Sequence, residues 1–471
     1  MAAHSVAAML NFLFVMVLAD SLGPEVRKFV RVDAPRIVLE HVEVIDGTGA
    51  APRLDQSITI EGGKITAIGT APSGDGATVL DLKGYAVMPG IVGMHDHLWY
   101  QHLATPDRPA VALTMTYSAP RLYLANGVTT MRTAASVDPY AELSLKHWIE
   151  TGVAPGPHLD VTSPFLSHAQ SQASRLLDLT GLDDARATVA FWADHGVTSV
   201  KAYQDITREE LRAAIQEAHK RGLKVTGHLC SVTYDEAIAL GIDNLEHGFQ
   251  VNTALDPDKK PDVCSASHGD STLLRMIPGK PEADRLIASL IAHHVAMTST
   301  LVLLASSANP QRPLRPAVLN AMSRVVRDDY LTWRDRTRDL AYLKTLLDRD
   351  TAMERAFVAA GGLLIAGPDP VGIGGNLPGF GDQREIELLV DAGFTPVEAI
   401  KIATYNGATF LGRQDHIGSI APGKNADLVV IKGDPATRIA DVENVEIVFK
   451  DGVGYDSAKL LESVKGAYGE Y

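Results

Sequence analysis

An alternation of short apolar segments with helix-like segments runs through the sequence between about residues 89 and 411. The segment TREELRAAIQEAHKRG shows the helix signals: a Thr cap, early Glu residues and a closing Gly. Eight strand-like segments share the pattern, namely GIVGMHDH, NGVTTMRTA, PHLDVTSPF, VTSVKAY, LKVTGHL, IDNLEHG, VAMTSTLVL and GGLLIAG. A charged helical insertion, at about 311–360, precedes the eighth. Eight such alternations predict an α/β fold, a (β/α)8 TIM barrel.

Both ends of the chain have a different residue pattern, typical of β-strands and turns. Residues 36–70 and 416–453 contain short alternating β-like runs, separated by turn sequences such as DGTGAAP and EGGK. Two β-rich segments on either side of one β/α region predict a small composite β-sandwich built from both chain ends. We therefore expect a sandwich from residues 26–88 and 412–471, and a hydrolase barrel from residues 89–411.

The net charge and the cysteine content exclude several classes of protein. The 471 residues carry a net charge of −14, so no basic field attracts nucleic acid or an anionic membrane. Only two cysteines occur, Cys230 and Cys264, which excludes a disulfide framework. One bridge between them has no support in the sequence, and Cys230 is interpreted as a small buried hydrophobic residue.

The first residues include an apolar run, SVAAMLNFLFVMVLAD, of the length of a signal-peptide core. A signal peptide within residues 1–25 would place the protein in the periplasm or outside the cell rather than in the cytoplasm. The run has no Lys or Arg before it, and a misplaced start codon or a buried first strand are the alternatives. No other stretch has the length of a membrane span, so no stable span is expected.

His95 and His97 end the first predicted barrel strand, in GIVGMHDHLWY. Residues two apart in a strand project from the same face, so these side chains point together. They lie at the carboxyl end of the strand, where barrel enzymes hold their active sites. For an isolated His-x-His pair, two histidines satisfied at a strand end would be the better interpretation.

Four further strands end with residues suited to metal binding or acid–base chemistry: Lys201, His228, His247 and Asp369. Lysine is rarely buried in a barrel strand unless it is paired. Lys201 either extends to solvent or reacts with carbon dioxide to form a carbamate, which can bridge two metal ions. Residues suited to metal binding or acid–base chemistry stand at five strand ends, and this favours a metal site over ordinary packing.

The set HDH, VKAY, GHL, EHG and GPDP resembles the amidohydrolase superfamily. The segments VMPGIVGMHDH and GSIAPGKNADLVVIKGDP strengthen the resemblance, which extends over nearly the whole chain from about residue 36. It is most similar to the Xaa-Pro dipeptidase, imidazolonepropionase and ochratoxinase-like subgroup. The resemblance implies a metal-dependent hydrolase, with roles for six residues: His95 and His97 on a first metal, His228 and His247 on a second, Lys201 as the bridging carbamate, and Asp369 as ligand and proton shuttle.

This donor set predicts two divalent metal ions. Zinc suits a mixed set of His and carboxylate ligands, although manganese, cobalt and iron fit as well. Two ions lower the pKa of a bridging water and supply hydroxide, while Asp369 acts as general base and then as general acid.

Three residues are candidates for substrate binding. His168, in TSPFLSHAQ, resembles the subgroup's loop histidine that meets the substrate, with an ordinary loop histidine as the alternative. Tyr203 should face the same way as Lys201, although a packing role fits it equally. Arg132 ends the second strand and is a candidate clamp for a carboxylate, with an ion pair as the alternative.

Three functions stay open at this point. The first is hydrolysis of the amide bond of a dipeptide or an N-acyl amino acid. The second is hydrolysis of an ester, a lactone or a phosphotriester at the same site. The third is deamination of a heterocycle with one metal, against which Lys201 argues. In each case the partner is a small-molecule substrate, and we expect a homo-oligomer.

Overall fold

The computed structural model describes residues 22–69, 76–102, 111–168 and 176–470. Most of the predicted signal segment, residues 1–21, lies outside this part of the chain. Within the described ranges, no helix is both long and apolar enough to cross a membrane.

The strands are β1 Val30–Val32, β2 Arg36–Val44, β3 Arg53–Glu61, β4 Lys64–Gly69, β5 Thr78–Asp81, β6 Tyr85–Pro89, β7 Ile91–Asp96, β8 Trp99–His102, β9 Val111–Thr114, β10 Val128–Thr133, β11 His158–Asp160, β12 Thr162–His168, β13 Leu176–Leu179, β14 Ser199–Ala202, β15 Lys224–Gly227, β16 Asn244–Leu245, β17 Ala296–Ser299, β18 Leu364–Ala366, β19 Leu428–Lys432, β20 Val445–Lys450 and β21 Val453–Asp456.

The α-helices are α1 Pro24–Arg27, α2 Ser118–Ala125, α3 Pro139–Glu150, α4 Leu182–Asp194, α5 Arg208–Lys220, α6 Tyr234–Leu240, α7 Asp270–Arg275, α8 Pro281–Ala292, α9 Leu301–Ala308, α10 Pro316–Ala321, α11 Arg324–Arg334, α12 Leu340–Ala359, α13 Phe380–Asp391, α14 Pro396–Lys401, α15 Gly407–Phe410 and α16 Ser457–Ser463. The charged insertion predicted near 311–360 contains α10, α11 and α12.

Strands from the two ends of the chain form one mixed sheet. Its order is β1-β21-β20-β19-β6-β2-β3-β4, and β5 also pairs with β2. Strand β6 lies between β2 and β19, so it joins the early and late parts of the chain. Alternate residues of these strands are buried, among them Ile37, Leu39, Ile58 and Val430, and they form a separate apolar cluster. The composite sandwich domain itself stays a prediction.

Apart from β8 and β9, which form a separate antiparallel pair, the strands between these ends are parallel and form two sheets, ordered β11-β10-β7 and β13-β12-β14-β15-β16-β17-β18. Single backbone hydrogen bonds connect them. Asp369 N donates to His95 O at one edge, and Ser136 N donates to Ser163 O at the other. The carboxyl ends of the two sheets thus meet in one α/β unit, and the closed (β/α)8 barrel stays a prediction.

The third predicted strand, PHLDVTSPF, is divided in the structure. Its first half is β11, which pairs with β10, and its second half is β12, which pairs with β14. At the division, Thr162 N donates to Thr133 Oγ1 over 2.9 Å, and the Thr162 hydroxyl donates to the Thr133 carbonyl. Threonine hydroxyls therefore replace ladder bonds between β10 and β12, and the segment changes sheets there.

The helices follow the local signals in the sequence. Thr207 caps α5, since its hydroxyl accepts from Glu210 N while the Glu210 carboxylate accepts from Thr207 N. The same reciprocal cap begins α6 at Thr233 and Glu236. These caps fix the position at which each helix begins, after the strands that end with the predicted site residues.

Candidate metal centre

His95, His97 and Asp369 form one group of potential metal donors. Strand β7 places the two histidines on one face, and the turn after β18 brings Asp369 against them. His97 Nε2 lies 3.0 Å from Asp369 Oδ1, and His95 Nε2 lies 3.8 Å from Asp369 Oδ2. One donor atom from each residue lies within 4.8 Å of the others. Three converging nitrogen and oxygen donors are a set that a divalent metal ion can use.

His228 and His247 extend this group. The ring centroids of His95 and His247 are 4.6 Å apart, and those of His228 and His247 are 4.3 Å apart. His247 Nδ1 lies 3.0 Å from Thr300 Oγ1, which leaves Nε2 as its donor to a metal. The structure therefore brings the four predicted histidines and Asp369 into one cluster.

Three histidines of this cluster, His95, His228 and His247, are held in the neutral form. Burial lowers the pKa of His95 to about 4 and that of His247 to about 3, and burial also holds the pKa of His228 well below its usual range. A neutral imidazole has a free lone pair, so it binds a metal ion without first losing a proton.

Asp369 is held as a carboxylate. Burial would raise its pKa, but electrostatic interactions with His95, His97 and His247 and a hydrogen bond with His97 outweigh that effect and hold the pKa below its usual range. Its side chain is 17% exposed, the largest exposure in the group of His95, His97 and Asp369. A partly accessible, ionised carboxylate can accept a proton.

Lys201 is buried beside Glu246, next to the cluster. Its side chain is 1% exposed, and its Nζ lies 3.7 Å from Glu246 Oε1 without a hydrogen-bond partner in the described part of the chain. Burial lowers the pKa of Lys201 to about 8, because the Glu246 charge only partly offsets the desolvation and Arg132 adds to it. A lysine with this pKa is neutral, and therefore nucleophilic, far more often than an exposed one.

Glu246 is a central residue that sequence reasoning missed. Its carboxylate accepts from His95 Nδ1 over 2.8 Å and from Arg132 Nη2 over 2.8 Å, and the Thr226 hydroxyl also donates to it. Burial would raise its pKa, yet the charges of Lys201 and Arg132 hold that pKa well below its usual range. Glu246 therefore fixes the orientation of His95, so that Nε2 faces the donor group. The only signal in the sequence was its position next to His247, at the end of a buried strand.

Arg132 lies beneath the cluster rather than in its opening. Its side chain is 1% exposed, and its guanidinium donates to Met94 O, to Asn244 Oδ1 and to Glu246. These contacts favour the ion-pair alternative over the carboxylate clamp, because a buried guanidinium with a buried carboxylate as partner has no access to a ligand.

His168 and Tyr203 lie at different distances from the cluster. The His168 side chain is 46% exposed and its Nδ1 lies 2.8 Å from Glu210 Oε1, at the start of α5. The Tyr203 ring lies 4.9 Å from the His228 ring and 4.8 Å from the Phe165 ring. Tyr203 thus borders the metal-donor group, together with Phe165 and with Trp99, whose ring is 4.6 Å from that of His97.

Two residues of the cluster have a strained backbone. His247 has a φ of 64° and Asp369 a φ of 54°, in the left-handed region that L-residues seldom adopt. Such conformations concentrate at functional sites, where the surrounding structure imposes them. Here they turn both side chains toward the same point.

The two cysteines form a disulfide bond, which differs from the sequence-based interpretation of Cys230 as an unpaired buried residue. Cys230 comes two residues after His228, and Cys264 lies in the segment between β16 and α7. Their Cα atoms are 4.8 Å apart across a separation of 34 residues. The long connection after β16 folds back over the end of β15, and spacing along the chain gives no sign of that return.

Comparison with known proteins agrees with this geometry. The family model of the amidohydrolase family matches residues 86–453. The chain belongs to the amidohydrolase family. The resemblance predicted from the sequence motifs is therefore confirmed, and with it the α/β class and the amidohydrolase type of enzyme.

Solved structures of the family share the fold over nearly the whole chain. A Xaa-Pro dipeptidase with bound methionine is 22% identical, covers 89% of this chain and 100% of its own, and gives a TM-score of 0.66. Ochratoxinase from A. niger is 16% identical, with 93% and 100% covered and a TM-score of 0.65. Bottromycin amidohydrolase is 22% identical, with 95% of each chain covered and a TM-score of 0.67.

Curated relatives match only in part. Dihydroorotase from Leifsonia xyli is 29% identical over 155 residues, which are 32% of this chain and 34% of the relative. Adenine deaminase 1 from Jannaschia sp. is 36% identical over 70 residues, or 15% of this chain and 11% of the relative. The chain thus spans about a third or less of the length of these relatives.

Proposed function

We propose that this protein is a binuclear metal hydrolase that cleaves the amide bond of a dipeptide or an N-acyl amino acid. The observation that carries the proposal is the convergence of four histidines and one ionised aspartate on a buried lysine. Hydrolysis of a carbon–nitrogen bond is the chemistry that the family's name describes.

The residues present fit two metal ions. His95 and His97 would hold the first ion and His228 and His247 the second, with Lys201 as a carbamate between them and Asp369 on the first. Zinc is favoured by the mixture of imidazole and carboxylate donors. When bound, the two ions would polarise the carbonyl of the substrate and lower the pKa of a water molecule that attacks it.

The carbamate is supported by the surroundings of Lys201. An amine must be neutral to react with carbon dioxide, and burial next to the cluster favours the neutral form. Nζ lies 3.7 Å from Glu246 Oε1 and makes no hydrogen bond within the described part of the chain, so no hydrogen bond has to break before carbon dioxide adds.

Asp369 would carry the proton during the reaction. Its carboxylate is ionised and lies beside His97 Nε2, so it can accept a proton from the attacking water and return it to the leaving nitrogen. Protonation of that nitrogen is the step that an amide requires more than an ester does.

The substrate class is supported by the side chains around the metal-donor group. Trp99, Phe165 and Tyr203 border it on one side, and they suit an apolar side chain or acyl group. Tyr203 and His168 are proposed as polar contacts to the substrate. A similarly folded Xaa-Pro dipeptidase was solved with bound methionine, an apolar amino acid, in its active site.

A substrate panel on metal-loaded protein tests the proposal. The panel contains N-acyl amino acids, dipeptides, lactones and phosphotriesters, and metal content is measured on the same preparation. We expect about two divalent ions per chain and the highest kcat/KM on N-acyl amino acids or dipeptides with an apolar residue. Hydrolysis of lactones or phosphotriesters alone, or full activity after metal removal with a chelator, would contradict it.

A further inference from the structure

A second cavity lies away from the metal-donor group, between helices α9, α11, α12 and α13. Its volume is about 510 Å³, within the range of small-molecule sites. None of the six predicted metal-site residues lines it. Its wall includes residues of α11 and α12, so the insertion noted in the sequence forms one side of it.

Most of this cavity is apolar. Leu301, Val302, Trp333, Phe380 and Leu388 line it, and all five are buried in the protein. Apolar walls of this kind favour the entry of an apolar chain or ring, because that part of the ligand then leaves water.

One side of the cavity carries three guanidinium groups, from Arg312, Arg315 and Arg384. Arg312 and Arg384 share the carboxylate of Glu387, at 3.3 Å and 2.6 Å, and that carboxylate is 8% exposed. Arg315 pairs with Glu443 at 3.2 Å. Three cations thus face two partly buried carboxylates.

The other charged groups around the cavity are largely exposed to solvent, and they change the balance between the arginines and the carboxylates little. Asp391 approaches Arg384 only at 3.4 Å and is 64% exposed. Lys344 and Asp348 pair with each other at 2.7 Å, and both are largely exposed. Burial and the neighbouring Glu387 raise the pKa of Glu443 to about 7, so this group is partly protonated at neutral pH. The three arginines therefore face two carboxylates, of which Glu443 is only partly charged, so positive charge is in excess here.

We propose that this cavity binds an amphipathic monocarboxylic acid, with its carboxylate on Arg384 and Arg312 and its apolar body against Trp333 and Phe380. Guanidinium groups bind carboxylates through paired hydrogen bonds, and the single charge of the ligand matches the unbalanced charge of the site. The site does not depend on the metal centre, so it goes beyond the proposed function.

Binding of decanoate to the full-length protein, measured by calorimetry below its micelle concentration, tests this proposal. We expect one saturable site for decanoate and none for decyltrimethylammonium, which has the same chain and the opposite charge. Decyl phosphate separates a specific carboxylate site from a general anion site. Multiple weak binding without saturation, or equal binding of the cation, would overturn the proposal.

Two variants locate the ligand. Arg384→Gln removes one cation, and we expect a loss of affinity of about tenfold or more. Ala305→Phe places a ring in the cavity and should abolish binding. Arg324→Gln is the matched control, because this arginine of α11 is 93% exposed and lies outside the cavity. Unchanged decanoate affinity in Arg384→Gln would contradict the assignment.

A fluorescence measurement tests the same site without relying on the correct folding of Ala305→Phe. ω-Bromodecanoate should quench the emission of Trp333 by contact, and the quenching should vanish in Trp333→Phe while decanoate still binds. His228→Asn should retain decanoate binding even if it loses metal, so failure of the proposed hydrolase function and failure of this site can be distinguished. Quenching that persists in Trp333→Phe places the ligand elsewhere.

Discussion

Two groups of buried acidic residues in this protein differ in almost every property except their burial. One lies at the metal centre and consists of Asp369, which belongs to the metal-donor group, and Glu246, which orients His95. The other, here named the acid cluster, consists of Asp350 and Glu354 of α12 and Glu385 of α13. Glu246, Asp350, Glu354 and Glu385 are almost completely inaccessible.

The acid cluster is stabilised by hydrogen bonds rather than by cations. Asp350 accepts from Phe249 N over 2.8 Å, and Glu385 accepts from Leu301 N and Val302 N, each over 3.0 Å. Burial raises the pKa of Glu385 to about 7 and holds that of Glu354 well above its usual range. No Lys, Arg or His forms an ion pair with these three acids among the described residues.

The comparison shows what distinguishes a functional acid from a structural one here. At the metal centre, the charges of Lys201 and Arg132 overcome the effect of burial and keep the Glu246 carboxylate ionised. In the acid cluster, hydrogen bonds only partly offset burial, so the pKa values of all three acids lie above their usual range, that of Asp350 at about 6. Burial of carboxylates alone is thus a poor sign of a metal site, and the sign of their pKa shift is a better one.

The largest effect is expected from Lys201→Ala, which removes the proposed bridging group. This variant should lose most of its metal and activity, because each ion loses a ligand. Elemental analysis and kinetics on one preparation measure both, and a short carboxylic acid in the buffer should restore part of each. Lys224→Ala, at the opposite end of the neighbouring strand β15, is the control. Wild-type activity of Lys201→Ala without the additive would refute the bridging role.

Asp369→Asn separates proton transfer from metal binding. The amide keeps one oxygen donor but is not basic, so kcat should fall by about a hundredfold to ten-thousandfold while most of the metal stays bound. His228→Asn should instead lose metal together with activity. If Asp369→Asn is nearly as fast as the wild type, another residue carries the proton.

Glu246→Gln tests whether ionisation of the buried acid matters at the metal centre. Without that charge, His95 loses its orienting carboxylate, and metal affinity should fall by about tenfold to a hundredfold. Glu142→Gln is a matched control, because Glu142 is equally buried but burial raises its pKa to about 8. Competition with a chelator measures the affinity. An equal loss in both variants would remove the distinction between the two kinds of buried acid.

The smallest effect is expected from Glu385→Gln in the acid cluster. The folded state holds the Glu385 proton up to about pH 7, whereas the unfolded chain releases it near pH 4.5. The wild type should therefore lose stability relative to the variant as the pH rises through this interval, by up to about 1.4 kcal/mol per pH unit. Denaturant unfolding at several pH values measures the difference. A difference that does not change with pH would show that Glu385 is ionised in the fold.

The sequence predicted those parts of the site that depend on local spacing. His95 and His97 share a face because they are two residues apart, and the strand-end positions of Lys201, His228, His247 and Asp369 follow from counting strands. The structure brings these six residues together, while their roles as ligands stay predictions.

The rest depends on contacts between distant segments. Glu246 becomes important only because His95, Arg132 and Lys201 arrive from other strands. Asp350 and Glu354 lie four residues apart in the charged insertion, yet both are buried, since Asp350 accepts from Phe249 N and Glu354 accepts from the Ser299 hydroxyl. The cysteine pair depends on the path of a long connection, which no local pattern encodes.

The mixed sheet has a consequence for synthesis on the ribosome. Strand β6 directly precedes the strand of His95 and His97, but its partner β19 emerges roughly 340 residues later, tens of seconds at ordinary translation rates. Until then one edge of β6 has open hydrogen-bonding groups, which invite pairing with other nascent chains. All six predicted metal-site residues are complete by residue 369, yet a polypeptide that stops there cannot close the sheet that anchors their first strand.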